Sequence, residues 1–203
     1  MIWLQRNIFI FLLTTLSYNL YSDDRLYDLL TAHKYFSANF IQKTGHINSS
    51  REINGLLHSS REGKFRLEYF SPLDELFIAN GEFLNKYDPL LEQLEIFPLD
   101  NFLDAPILGL LTNDTKSLKQ HFRIIACTNK INLLHCRIEP FKENSFFKNL
   151  NIYLEDEKLS KISFEDYFEQ KITVVFDAIS NKFIDPSKFS FEPPFGTDII
   201  RHN

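Results

Sequence analysis

Few side chains able to carry chemistry sit at spacings that would let them act together. The six histidines, His33, His46, His58, His121, His135 and His202, show no metal-ligand spacing, and two cysteines cannot complete a zinc site alone. The paired acids Asp74-Glu75 and Glu155-Asp156-Glu157 fall in expected turns, where solvated charge is the plainer reading. No Gly-rich phosphate loop, Gly-x-Ser-x-Gly elbow or His-Glu-x-x-His helix is present in the sequence. An enzyme is therefore disfavoured, and no cofactor or metal is expected. Cys127 and Cys136 flank Thr128-Asn129-Lys130-Ile131-Asn132, which reads as a hairpin loop. Opposed positions on neighbouring strands can be bridged when their side chains face the same way; two reduced core thiols are the alternative. One cation stands apart. Arg61, an always-charged fork of donors, opens the aromatic strand Lys64–Tyr69, where it can snorkel over Phe65 or reach backbone carbonyls.

The elements around these residues are mostly strands. Phe65, Leu67 and Tyr69 alternate with Lys64, Arg66 and Glu68, the period of a sheet wet on one face. Ile53–Ser60 pairs with that strand across Glu62-Gly63, and Phe36–Gln42 precedes them. Asn80-Gly81 predicts a type I′ hairpin between Leu76–Ala79 and Glu82–Tyr87. Further strands are expected at Leu91–Ile96, Phe122–Ala126, Leu133–Ile138, Leu150–Leu154, Lys161–Phe168, Gln170–Phe176 and Lys188–Phe191. Asp23-Asp24 can cap a helix with Leu26, Leu29, Leu30 and His33 on one face, ending near Lys34–Tyr35. Leu99–Leu111 is apolar almost all round, with Asp104 as a cap and Pro106 in the first turn of a short helix. Such a helix must be covered, either as an ordinary buried crossover or as a plug over a cavity. A second short helix is expected near Ser117–His121. About ten strands with few helices favour a mainly β (α+β) fold, one curved antiparallel sheet holding helices in its concave side.

At 203 residues with a formal net charge of −5 and a pI near 5.7, the chain offers no electrostatic grip on nucleic acid. It carries 21 Phe and 8 Tyr against one Trp and one Met. Codon bias explains this blandly; rings that bring much apolar area with few rotatable bonds also suit a greasy pocket. Residues 1–22 read as a signal peptide: Arg6, then Ile8–Leu13 and Leu16 as a short apolar core, then Ser17 and Ser22 as small residues. Cleavage is expected after Ser22. No cysteine follows the core, so this is not a lipoprotein signal. One domain, 23–203, remains.

Several of these pieces recur together in one family. They are Phe36-x-Ala38-x-Phe40-x-Gln42, Gly55-x-Leu57 with Arg61-x-x-x-Phe65, Asn80-Gly81, Tyr87-x-Pro89-x-x-Glu92-Gln93, the Pro106 segment, and Phe189-x-Phe191-x-Pro193-Pro194-x-Gly196. In that order the chain resembles the LolA family of periplasmic lipoprotein carriers. It departs at Leu67, where a tryptophan is expected, and at Glu62, where a proline often follows the arginine. The resemblance implies an unclosed β-barrel whose mouth is covered by short lid helices and whose cavity binds the acyl chains of lipoproteins. It also implies an inner-membrane LolCDE-type ABC transporter as donor, an outer-membrane LolB-like acceptor, a periplasmic location, and a monomer. For Arg61 it implies a latch on the lid helices, and for Phe65 a place near the mouth. The expected lining is Phe40, Phe65, Leu67, Tyr69, Phe77, Phe83 and Tyr87, with Ile107, Leu108, Leu110 and Leu111 from the lid. For each aromatic, plain core packing is the alternative. A periplasmic carrier of free lipids or glycolipids on the same fold is the rival function.

Overall fold

A computed structural model describes residues 24–46, 49–102, 105–142 and 147–203. The expected signal peptide, its cleavage point and Asp104 lie outside these residues.

Period-two alternation dominates, and the described residues form one 12-stranded sheet. In chain order the strands are β1 (Tyr35–His46), β2 (Ser49–Ser60), β3 (Lys64–Tyr69), β4 (Leu76–Asn80), β5 (Phe83–Asp88), β6 (Gln93–Pro98), β7 (Phe122–Lys130), β8 (Leu133–Pro140), β9 (Phe147–Glu155), β10 (Lys158–Asp166), β11 (Lys171–Ser180) and β12 (Asp198–Arg201). Their spatial order is β12-β6-β5-β4-β3-β2-β1-β11-β10-β9-β8-β7, so β7 and β12 are edges and the sheet is not closed. Neighbours are antiparallel except β12, which runs parallel to β6. Helices α1 (Asp24–Thr31), α2 (Pro106–Thr112) and α3 (Thr115–His121) accompany the sheet, with short 3-10 turns at Leu99–Phe102 and Pro186–Phe189.

Register decides which side chains share a face. Ala38 opposes Leu57 and Phe40 opposes Gly55 across β1–β2. Leu57 opposes Leu67, and Leu67 in turn opposes Phe77. These positions, with Phe176, Ile162, Ile152 and Ile138 farther round, form one buried face against which the helices pack. Cys127 and Cys136 oppose each other across β7–β8 and are joined by a disulfide.

Three local expectations are corrected. The segment Lys188–Phe191 is not a strand, because Asp185 caps a 3-10 turn by accepting from Ser187 N, and Pro186 occupies its first position. That turn buries Phe189 on the other face of the sheet, against β3 and β4. The tail beyond Gly196 supplies β12 instead. The Asn80-Gly81 hairpin is not type I′: only Gly81 has positive φ (103°), and Asn80 Oδ1 accepts from Glu82 N and Phe83 N as the last residue of its strand. Helix α1 stops at Thr31, whose hydroxyl donates to Tyr27 O, so His33 lies beyond the helix and Tyr27 joins Leu26 and Leu30 on the buried face.

Candidate functional site: a helix-stoppered apolar concavity

The concave wall is built first from strand parity. Phe40 and Phe65 are 2% and 3% exposed, Leu67 is buried, and Tyr69 and Phe77 pack beside them. Phe40 meets Tyr69 edge-on at 5.4 Å between ring centroids, and Tyr69 meets Phe77 at 6.0 Å. The Tyr69 hydroxyl donates to Gln42 Oε1 at 2.9 Å, and burial, aided by Glu75, pushes it up to about 12, so it stays a neutral donor. Phe40 has room because Gly55 faces it. A Cβ at Gly55 would lie 2.2 Å from Phe40 Cζ and 2.3 Å from the Glu68 carbonyl oxygen.

The helices fill the hollow. In α2, Leu108, Leu110 and Leu111 are buried and Ile107 is half-buried, and the helix packs on β2 and β3. Thr31 and Thr115 share a hydroxyl–hydroxyl hydrogen bond of 2.8 Å that ties α1 to α3. The Tyr27 hydroxyl donates to Phe122 O at the same distance.

Arg61 joins these helices to the sheet. Its backbone N–H donates to Lys34 O at 3.0 Å. Its Nη1 donates to Leu110 O at 2.6 Å and to Asn113 O at 2.9 Å, and its Nη2 donates to Leu30 O. Leu110 and Asn113 end α2, and Leu30 lies in the last turn of α1, so one cation serves the carbonyl ends of two helices. Those ends carry orphan acceptors and partial negative charge. Burial lowers the guanidinium from its ordinary 12.5 to about 10, while three charge-assisted hydrogen bonds pull the other way; it is charged at neutral pH on either account.

Beside Arg61 the stopper is incomplete. A cavity of about 120 Å³ opens among Leu30, Phe36, Arg61, Leu111, Leu159 and Ile179. Pockets that take drug-sized ligands hold about 300–1,000 Å³. With the helices packed on the wall, this cavity is smaller than that range.

Nine of the expected lining residues meet around this hollow: Phe40, Phe65, Leu67, Tyr69 and Phe77 from strands, and Ile107, Leu108, Leu110 and Leu111 from α2. Phe83 and Tyr87 do not. Leu84 opposes Ala79 and Phe97 on the concave side, so its neighbours in β5 point outward. There Tyr87 packs on Phe191, 5.0 Å between centroids. The misreading arises from a stretch apolar at both parities, because the C-terminal segment covers the convex face here and buries Ile78, Leu94, Ile184 and Phe189. Unforeseen participants are the Leu30 and Asn113 carbonyls, the side chains of Ala38, Leu57 and Phe176, and Gly55. Alternation signals the apolar ones; no sequence signal marks a backbone carbonyl.

A family model described as "Outer membrane lipoprotein carrier protein LolA" matches residues 31–192. The "Outer-membrane lipoprotein carrier protein" of Chromohalobacter salexigens is 30% identical over 181 residues, covering 88% of this chain and 86% of that protein. The protein of the same description from Pseudomonas aeruginosa is 30% identical over 180 residues, covering 87% and 86%. Among solved structures, an uncharacterised conserved protein from Thermus thermophilus superposes with a TM-score of 0.55 at 14% identity, covering 88% of this chain and 96% of its own. A LolA superfamily protein from Nitrosomonas europaea gives a TM-score of 0.50 at 8% identity, covering 81% and 93%; both bear on the fold alone. With a matching model over most of its length and relatives of one description at this identity, the chain belongs to the LolA family of outer membrane lipoprotein carrier proteins.

Proposed function

We propose that this protein is a periplasmic carrier that hides the acyl chains of lipoproteins from water. In this reading it receives them from an inner-membrane LolCDE-type transporter and delivers them to an outer-membrane LolB-like acceptor. It works without a chemical step, after removal of residues 1–22. The observation that carries the reading is a concave apolar wall stoppered by helices that a single side chain, Arg61, ties at three carbonyls. Withdrawing an acyl chain from water is worth about 0.8 kcal/mol per methylene, so cargo needs wide apolar area and little else. A carrier holding that area permanently open would bind too tightly to release. A lid that closes by itself competes with cargo and lowers apparent affinity by the fraction of molecules left open. Arg61 is the latch in this scheme, and Phe40, Phe65, Leu67, Tyr69 and Phe77 are the wall that α2 uncovers.

The test is release of newly acylated lipoproteins from spheroplasts. Addition of the purified protein should move them into the supernatant as a complex with it. Lipoproteins that stay membrane-bound, or free lipids copurifying in their place, overturn the reading.

A further inference from the structure

One buried polar group on the concave wall has no partner among the described residues. Ser59 stands on the concave side of β2, in register with Phe36 on β1 and Phe65 on β3. It is fully buried, and its Oγ has no hydrogen-bond partner among those residues. The neighbouring Ser60 Oγ is equally unpartnered but points to the opposite face, so the concavity gains nothing from it. A hydroxyl withdrawn from water without a partner is a standing cost, which alanine or valine on the same apolar wall would avoid. The cost makes sense if another state of the molecule supplies an acceptor.

The position tells which acceptor. Ser59 lies two residues before Arg61, roughly 7 Å along the strand from the turn that ends β2, with Leu57, Gly55 and Phe40 farther from that end. An acyl chain laid along that wall would pass Leu57 and Phe40 with its hydrocarbon and leave its carbonyl near that end. That carbonyl accepts and cannot donate; a serine hydroxyl donates. We propose that Ser59 is a carbonyl-binding point of the open cavity: when α2 lifts, its hydroxyl donates to the ester or amide carbonyl at which an acyl chain of the cargo begins. This rests on the carrier reading above and adds to it a reason to prefer acyl chains over bare alkyl chains.

The experiment uses protein purified after expression of the full chain, with two synthetic peptides whose N-terminal cysteine bears a glyceryl group. One peptide carries two palmitoyl esters, the other two hexadecyl ethers of equal length. Wild-type protein should bind the ester peptide roughly two- to tenfold more tightly, the worth of one such hydrogen bond. S59A should lower ester affinity to that of the ether and leave ether affinity unchanged, and S59V, the isostere of S59T without its hydroxyl, should likewise abolish the preference. S59T, which keeps a hydroxyl, should retain the preference. Because no described residue bonds Ser59 Oγ in the closed form, S59A sheds an unpaired buried hydroxyl and should unfold at or above the wild-type thermal midpoint. Equal binding of both peptides by wild type, or an equal loss for both in S59A and S59V, overturns the proposal. Binding of neither peptide by wild type overturns the carrier reading itself, and this proposal with it.

Discussion

At the scale of the residue, Arg61 makes bonds that lysine could not reproduce. Three carbonyls from two helix ends lie around one planar fork, and an ammonium on a flexible stem would reach them only in turn. Arg61→Leu should leave cargo uptake intact and raise apparent affinity about tenfold or more, since one hydrogen bond to a charged group is worth about 1.5–3 kcal/mol. Handover to an acceptor should fail in the same variant, and transfer at the wild-type rate would remove the latch role. His58 offers a second residue-scale expectation. On the convex side its Nδ1 is buried without a partner among the described residues, and burial, then Lys188 and Arg66, lower its pKa from 6.5 against an opposing pull from Glu68. The unfolded chain therefore takes up this proton at a higher pH than the folded one. Stability is full above 6.5 and falls as the pH drops through the lowered folded-state value. Urea midpoints measured at about pH 7.5 and about pH 5.5 should show that fall, and His58→Gln should reduce it. An unchanged pH slope in the variant would assign the effect elsewhere.

At the scale of the element, β2 does the most positioning. Its concave residues place Gly55 under Phe40, Leu57 against Leu67, and Ser59 between Phe36 and Phe65, before the chain turns at Gly63 with φ of 72°. Gly55→Ala would push a methyl into both Phe40 and the backbone of β3. Overpacking of this kind costs about 1–3 kcal/mol, and more where backbone must yield. A chemical denaturation curve should show at least that loss, and near-UV dichroism should report the displaced Phe40 and Tyr69 rings. A variant as stable as wild type would mean that Phe40 can leave the wall without penalty.

At the scale of the whole molecule, the sheet and its stopper are held by different forces. Each strand of the sheet is bonded to its neighbours along its length, whereas α2 rests on apolar contacts and the Arg61 hydrogen bonds. Lid opening should therefore be a sub-global event. Amide exchange in α2 should report a lower opening free energy than exchange in β1–β3, and Arg61→Leu should lower it further while leaving the strands unchanged. Exchange at one common free energy throughout would make lid and sheet a single unit.

What the sequence by itself determined is whatever depends on local pattern. Alternation at Phe65, Leu67 and Tyr69 specified a half-buried strand, Pro106 within an all-apolar run specified a covered helix, and the spacing of motifs from Phe36 to Gly196 specified the family. Only the tertiary structure decided facing and partnership. Phe83 and Tyr87 look like lining until the register of β5 against β4 and β6 turns them outward beneath the C-terminal segment. The partners of Arg61 are backbone carbonyls at Leu30, Leu110 and Asn113, which any residue type would present. The hydroxyl of Ser59 is orphaned only because the fold buries it between Phe36 and Phe65 on the concave wall. Such features depend on which distant elements meet, and a chain read one position at a time does not carry that information.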